Sequence, residues 1–210
     1  MINNVAKQII SKFQVNKFIE TGAFMGDTLM IVQDWFCELY GKDFNTGPWQ
    51  QGQRGRHRIY EVEINRDYLD QYIVPRHQKQ INVEVVHSDS VKWLSDKIAQ
   101  GEFDRDNCFF YLDAHSHGSH NPEPLKAEIQ QIGKLQSPII SCDDWHVPHG
   151  NPDVYNTSQI KDLIQNRTDV VYYSSFHNFH GKWSVFIFLD RYQKELDEIL
   201  DDVPLIAEPL

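Results

Sequence analysis

Apolar residues follow two alternating patterns along the chain. Short apolar runs, such as the one that ends at Glu20 and CFFYL from residue 108, are typical of strands buried in a sheet. Between such runs lie stretches with apolar residues three and four apart, as over 27–40, which is the spacing of an amphipathic helix. Strand and helix alternate five times in this way, which predicts a doubly wound α/β sheet.

Two further strand-like runs, VVYYSSF and KWSVFIFLD, lie close together near the end of the chain with no helical pattern between them. This arrangement predicts an antiparallel hairpin. We therefore expect a Rossmann-like, mostly parallel sheet of seven strands with a C-terminal antiparallel hairpin. It would form a single domain over residues 1–210 with its core at 17–189. Residues 41–57 are rich in Gly, Gln and Arg without apolar periodicity, and are predicted to be a surface loop insertion.

Charge, hydropathy and cysteine spacing argue against several kinds of partner and location. A formal net charge of -10 argues against a nucleic-acid partner. No apolar run approaches the roughly 20 residues of a membrane span, and no signal peptide is visible, so we expect neither a membrane partner nor export. The three cysteines lack CxxC spacing, which favours buried thiols in a reducing, cytoplasmic location.

A glycine turn follows the first predicted strand. In KFIETGAFMGDT the glycines Gly22 and Gly26 are four residues apart, and Asp27 or Thr28 can cap the helix that follows. In an open parallel sheet this first turn is where a nucleotide-like ligand binds, because glycine lets the backbone approach it and the helix start offers N–H groups. A purely structural turn explains the pattern equally well when it is taken alone.

Acidic residues end four predicted strands and closely follow a fifth. They are Glu20, Glu63, Asp89, Asp113 and the pair Asp143–Asp144. Ligands of doubly wound sheets bind at the carboxyl ends of the strands, where all of these residues are expected to gather. Five acidic strand ends on one edge predict a functional site there.

These residues, in this order, resemble the class I S-adenosylmethionine-dependent methyltransferases over residues 17–189. In that family the glycine turn approaches the methionine part of the cofactor. Glu63 matches the acid that binds the ribose hydroxyls, and Asp89 matches an aspartate near the adenine. Asp113 matches the position that faces the transferred methyl group. The cofactor residues that this resemblance implies are Glu20, Thr21, Gly22, Gly26, Glu63, Asp89, Ser90 and Asp113. The turn departs from the commoner GxGxG because Phe24 occupies its middle position.

A second resemblance involves the motifs YLDAH and SCDDWH. Adjacent strands lie about 5 Å apart, so Asp113 and Asp143 would repel each other unless a cation or a proton intervenes. Carboxylate oxygens suit Mg²⁺ or another hard divalent metal. The layout is similar to the catechol and caffeoyl-coenzyme A O-methyltransferases, which implies a metal at Asp113, Asp143 and Asp144 and a hydroxyl acceptor. Their lysine base is replaced here, and His115 or His117 could serve instead.

Other interpretations of these motifs stay open. Asp143 and Asp144 could be caps or an unmetallated pair that shares a proton, and HSHGSH could be a solvated loop or a Zn²⁺ or Fe²⁺ site with Asp113. The sequence thus predicts a methyltransferase that binds a small-molecule acceptor, with homo-oligomers left open. Its catalytic residues would be Asp113, His115 and His117. The alternatives are a metal-dependent hydrolase that uses the Asp/His cluster, and a non-catalytic relative that binds the cofactor.

Overall fold

The computed structural model describes residues 4–40, 57–77, 82–104, 106–114, 123–146, 163–164, 170–177, 182–189 and 206–208, and positions 192, 194, 195 and 198. For residues 77, 123, 143–146, 170–177, 182–189 and 206–208 it describes the backbone alone. Most of the predicted loop 41–57 lies outside these ranges. Apolar residues three and four apart also predict a helix from about residue 157 and another over about 190–201, and most of both lies outside the described residues.

One mixed sheet runs through the described part of the chain. Its strands are β1 (Lys17–Thr21), β2 (Arg58–Glu63), β3 (Val83–His87), β4 (Cys108–Leu112), β5 (Ile139–His146), β6 (Val170–His177), β7 (Lys182–Leu189) and β8 (Ile206–Glu208). They are ordered β3-β2-β1-β4-β5-β7-β6-β8. Strands β1 to β5 are parallel, whereas β7 pairs antiparallel with both β5 and β6, and β8 pairs antiparallel with β6.

The predicted count of seven strands is wrong, since the described residues already form eight strands, of which the first five are parallel. The additional strand, β8, lies in the tail VPLIAEPL, where only three residues pair with β6. So short a pairing leaves no periodic signal in the sequence. The doubly wound α/β arrangement itself is confirmed, because the order of β1 to β4 reverses direction at β1.

Helices cover both faces of the sheet. They are α1 (Asn4–Lys12), α2 (Asp27–Tyr40), α3 (Arg66–Tyr68), a π-helix (Leu69–Ile73), α4 (Val74–His77), α5 (Ser90–Ala99) and α6 (Glu123–Ile132). Phe18 of β1 packs with α1 and α2, and its neighbour Ile19 packs on the opposite face with α5 and α6. This alternation follows from the strand pleat, which points successive side chains to opposite faces.

The helical segment after β2 changes type twice along its length. Asn65 caps its start, accepting the N–H groups of Asp67 and Tyr68. The π-helix then precedes Pro75, which lies inside α4. Proline has no N–H and its ring clashes with the carbonyl four residues earlier, so a locally wider turn accommodates it. The helix therefore continues past Pro75 to His77 by way of the π-helical turn.

Strand β5 continues further than predicted. We expected it to stop at Asp143–Asp144, but it runs on to His146. Its pairing with β4 ends at Leu112–Cys142, and the continuation is paired with β7 after a register shift. The prediction failed because the partner that supports this continuation is distant in sequence.

The three cysteines are thiols, and two of them, Cys108 and Cys142, are buried as expected. In the described ranges we find no helix that has both the length and the apolar character to cross a membrane.

Candidate functional site

The turn after β1 lies directly against the chain that leaves β4. Gly22 has a φ of 76°, and a Cβ built on it would lie 2.4 Å from the carbonyl oxygen of Asp113. No side chain fits there, and the backbone conformation independently favours glycine. The Gly22 N–H donates to Val62 O at 2.9 Å, and the Asp113 N–H donates to Thr21 O at 3.0 Å. The ends of β1, β2 and β4 are thus joined through the backbone.

Glu63 ends β2, and its carboxylate lies next to the same turn. One oxygen accepts the N–H of Phe24 at 2.9 Å and the other accepts the N–H of Asn65 at 2.7 Å. Each oxygen retains a further lone pair for a ligand. The Phe24 ring contacts the Tyr68 ring edge-on, with 4.8 Å between their centroids. The structure therefore fixes this carboxylate between the turns that follow β1 and β2.

A cation holds the other side of the glycine turn. Arg76 of α4 donates to the carbonyl of Met25 at 2.9 Å and to the carboxylate of Asp27 at 2.7 Å. Helix α2 begins at Asp27, and Gly26 before it has a φ of 72°. The segment 66–77 therefore contacts the turn at both of its ends, through Tyr68 and through Arg76.

The turn after β3 contributes the start of α5. Asp89, which is exposed, caps this helix by accepting the N–H of Lys92 at 2.8 Å. Ser90, which as a serine could itself cap a helix, is instead the first residue of this one. Aspartate and serine are both preferred helix caps, so the sequence alone does not decide between Asp89 and Ser90. The extended backbone at Asp89 identifies it as the cap. Ser88 N–H donates to Glu63 O at 3.2 Å, which joins this turn to the end of β2.

Glu20 and Glu61 form a buried carboxyl pair below the glycine turn. They are register partners on β1 and β2, and their exposed fractions are 2% and 0%. Burial, with the like charge and hydrogen bond of Glu61, raises the pKa of Glu20, although a hydrogen bond from Thr28 opposes the rise. Burial likewise raises the pKa of Glu61 to about 8. The pair therefore holds a proton at neutral pH, and Glu20 lies in the interior rather than at the exposed edge.

Glu128 of α6 is a third buried carboxyl, and the sequence analysis missed it. Its exposed fraction is 0%, and it accepts the hydroxyl of Thr21 at 3.2 Å and that of Ser90. Burial raises the pKa of Glu128 to about 8, and the charges of Asp89 and Asp113 act in the same direction. A signal was present, because Glu128 falls on the apolar stripe of its helix, three residues after Leu125.

For the predicted metal residues, the structure shows closeness of the backbone but not the arrangement of all the side chains. Leu112 pairs with Cys142, so Asp113 and Asp143 follow at the same level of adjacent strands. The side chains of Asp143 and Asp144, and all of His115 and His117, lie outside the described residues. In the described part of the chain, no group of three His, Cys, Asp or Glu side chains could hold a metal ion. The metal site and the histidine base stay predictions.

Comparison with known proteins identifies the fold. No family model and no curated protein matches the sequence. Among solved structures, an O-methyltransferase from Bacillus cereus in complex with SAH aligns at a TM-score of 0.54 and 12% identity over 90% of this chain and 82% of that chain. Spermidine synthase from Thermotoga maritima aligns at 0.54 and 12% over 89%, and this chain spans 60% of it. A protein from Clostridium thermocellum assigned as an rRNA-methylase aligns at 0.52 and 11% over 90% of this chain and 99% of that chain. These similarities show a shared Rossmann-like fold.

Proposed function

We propose that the protein is an S-adenosylmethionine-dependent methyltransferase that acts on a hydroxyl group of a small-molecule acceptor. The observation that carries the proposal is the Glu63 carboxylate, which is held by two backbone N–H groups at the carboxyl end of β2. A carboxylate fixed in this way, with lone pairs still available, suits the two hydroxyls of a ribose. The solved methyltransferase structures with the same fold are consistent with this proposal.

The residues around the glycine turn fit this cofactor. Gly22 has no side chain, which lets the turn after β1 pack directly against the backbone at Asp113 and Ala114. Below the turn, one oxygen of Glu20 is buried and has no hydrogen-bond partner in the described ranges. The carboxylates that end or follow the strands at this edge, Glu63, Asp89 and Asp113, provide a negative potential that suits a positively charged sulfonium.

Each part of the site has a separate role in this proposal. S-adenosylmethionine supplies an electrophilic methyl group when it is bound. Glu63 and the turn at Gly22 orient the cofactor, and Asp89 is assigned to the adenine, as the resemblance implies. Asp113 faces the acceptor, whose hydroxyl must lose a proton to His115 or His117 as it attacks in line. Alignment and proton removal are the main contributions of the protein.

The assignment of Glu63 is tested by calorimetric titration of the full chain with S-adenosylhomocysteine. Charge-assisted hydrogen bonds contribute about 1.5–3 kcal/mol, so Glu63→Ala should weaken binding by about 10- to 100-fold. Glu63→Gln should also weaken it, because its amide nitrogen would face a backbone N–H donor. Glu84→Gln is the matched control, since Glu84 pairs with Arg58 at the opposite end of the sheet. Wild-type affinity in Glu63→Ala would refute the ribose assignment.

Two other functions are distinguished by the same ligand. In a metal-dependent hydrolase on this sheet, Glu63 would bind no cofactor. S-adenosylhomocysteine would then not raise the melting temperature of the protein. A non-catalytic relative would bind the ligand but would not transfer a methyl group to any acceptor. If S-adenosylhomocysteine raises the melting temperature of the wild-type chain but not that of Glu63→Ala, the result favours the methyltransferase or its non-catalytic relative over the hydrolase.

A further inference from the structure

Glu128 contacts two different parts of the candidate site from below. It belongs to α6, which packs on the face of the sheet that also carries α5. Its carboxyl accepts the hydroxyl of Thr21, the last residue of β1, and the hydroxyl of Ser90, the first residue of α5. These residues immediately precede Gly22 and follow Asp89. One side chain therefore contacts the residues next to two turns of the candidate site, the turn after β1 and the turn before α5.

The contacts of Thr21 make this position sensitive. Its carbonyl accepts the N–H of Asp113 at 3.0 Å, and its hydroxyl donates to Glu128 at 3.2 Å. Thr21 is fully buried and Ser90 nearly so, with exposed fractions of 0% and 9%. Both hydroxyls therefore lie in the interior, below the turns that these two residues begin. A buried hydroxyl that lost its acceptor would have to rotate or move its strand or helix.

We propose that Glu128 is a positioning residue of the cofactor site, and that its buried carboxyl holds the turn after β1 in register with the start of α5. The proposal rests on the function proposed above, because it concerns the same site. It goes beyond it by giving a ligand-affinity role to a residue that does not touch the ligand. The oxygen Oε1 of Glu128 has no hydrogen-bond partner in the described ranges, so the contact with Thr21 is made by Oε2 alone.

Three substitutions separate this role from general stability. Glu128→Met removes the acceptor but keeps the volume, and should weaken S-adenosylhomocysteine binding by tenfold or more. Glu128→Gln keeps an acceptor oxygen, and should bind within about twofold of wild type. Ile132→Ala is the control on the same helix, where a fully buried apolar side chain is shortened. It should lower the melting temperature without changing the affinity measured at a temperature where every variant is folded.

The outcomes decide the proposal in either direction. Retained affinity in Glu128→Gln with loss in Glu128→Met supports it. Equal loss in Glu128→Met and Ile132→Ala, or in Glu128→Gln and Glu128→Met, overturns it. Wild-type affinity in Glu128→Met also overturns it, while loss in Glu63→Ala keeps the proposed function intact. If Glu128→Met does not fold, Thr21→Val and Ser90→Ala each remove one of the two bonds, and wild-type affinity in both overturns the proposal.

Discussion

Replacing Glu61 by Gln should make the free energy of unfolding less dependent on pH. Glu61 is a fully buried residue of β2, and apart from the hydrogen bond that it shares with Glu20 neither of its oxygens has a partner among the described residues. In the unfolded chain its carboxyl ionises near 4.5, whereas burial raises its pKa to about 8 in the folded chain. Between these two pH values the folded chain therefore holds one proton that the unfolded chain has lost.

The sign and size of the effect follow from this difference. Because the folded state binds more protons, the free energy of unfolding decreases as the pH rises, by about 1.4 kcal/mol per pH unit for one proton. The contribution is fully present below pH 4.5 and is lost by about pH 8, a total on the order of 5 kcal/mol. Glu61→Gln removes this titrating group, so the pH dependence of the unfolding free energy should lose at least the part due to one proton. The new amide can also donate to Glu20 and lower the pKa of that neighbour, which would reduce the slope further.

The measurement is urea unfolding of wild type and variant at several pH values between about 5 and about 8, followed by tryptophan fluorescence. Glu38→Gln is the matched control, because Glu38 lies exposed on α2 and pairs with Lys7 at the surface. This control should retain the wild-type slope. Parallel curves for wild type and Glu61→Gln would refute the buried-proton reasoning.

Two further predictions concern the glycine turn and the metal. Gly22→Ala should destabilise the fold by about 2–4 kcal/mol and displace the chain at Asp113, because the new Cβ combines a positive φ with a backbone clash. Gly101→Ala shares the positive φ but meets only the Asp104 side chain, so it should lose about 1 kcal/mol in chemical unfolding and keep ligand affinity. If a divalent metal assists catalysis, EDTA and Asp143→Asn should both abolish methyl transfer, and activity indifferent to EDTA would exclude the metal mechanism.

Local patterns predicted the elements around the site well. The spacing of apolar residues located α2 at its observed bounds, 27–40, and the apolar run with a terminal acid located β2 and Glu63. Both features depend on residues that are neighbours in sequence, so periodicity and strand-end chemistry suffice to find them.

Features that depend on distant partners were not predictable in the same way. The burial of Glu20 follows from its register with Glu61, a residue 41 positions away. The continuation of β5 depends on pairing with β7. Strand β8 likewise depends on pairing with the edge of β6. Glu128 was accessible to sequence reasoning, because a charged residue on an apolar helix stripe indicates a buried polar contact. Its partners Thr21 and Ser90 required the structure.

The π-helix at 69–73 has a consequence for insertions and deletions in this protein. Arg76 follows Tyr68 by eight positions, and eight α-helical steps of about 100° would leave the two side chains about 80° apart around the helix axis. A turn that closes over five residues rotates less per step and reduces this angle. Deleting one residue here would restore an ordinary helix but separate the ring contact with Phe24 from the ion pair with Asp27. The length of this segment should therefore tolerate change less well than its composition.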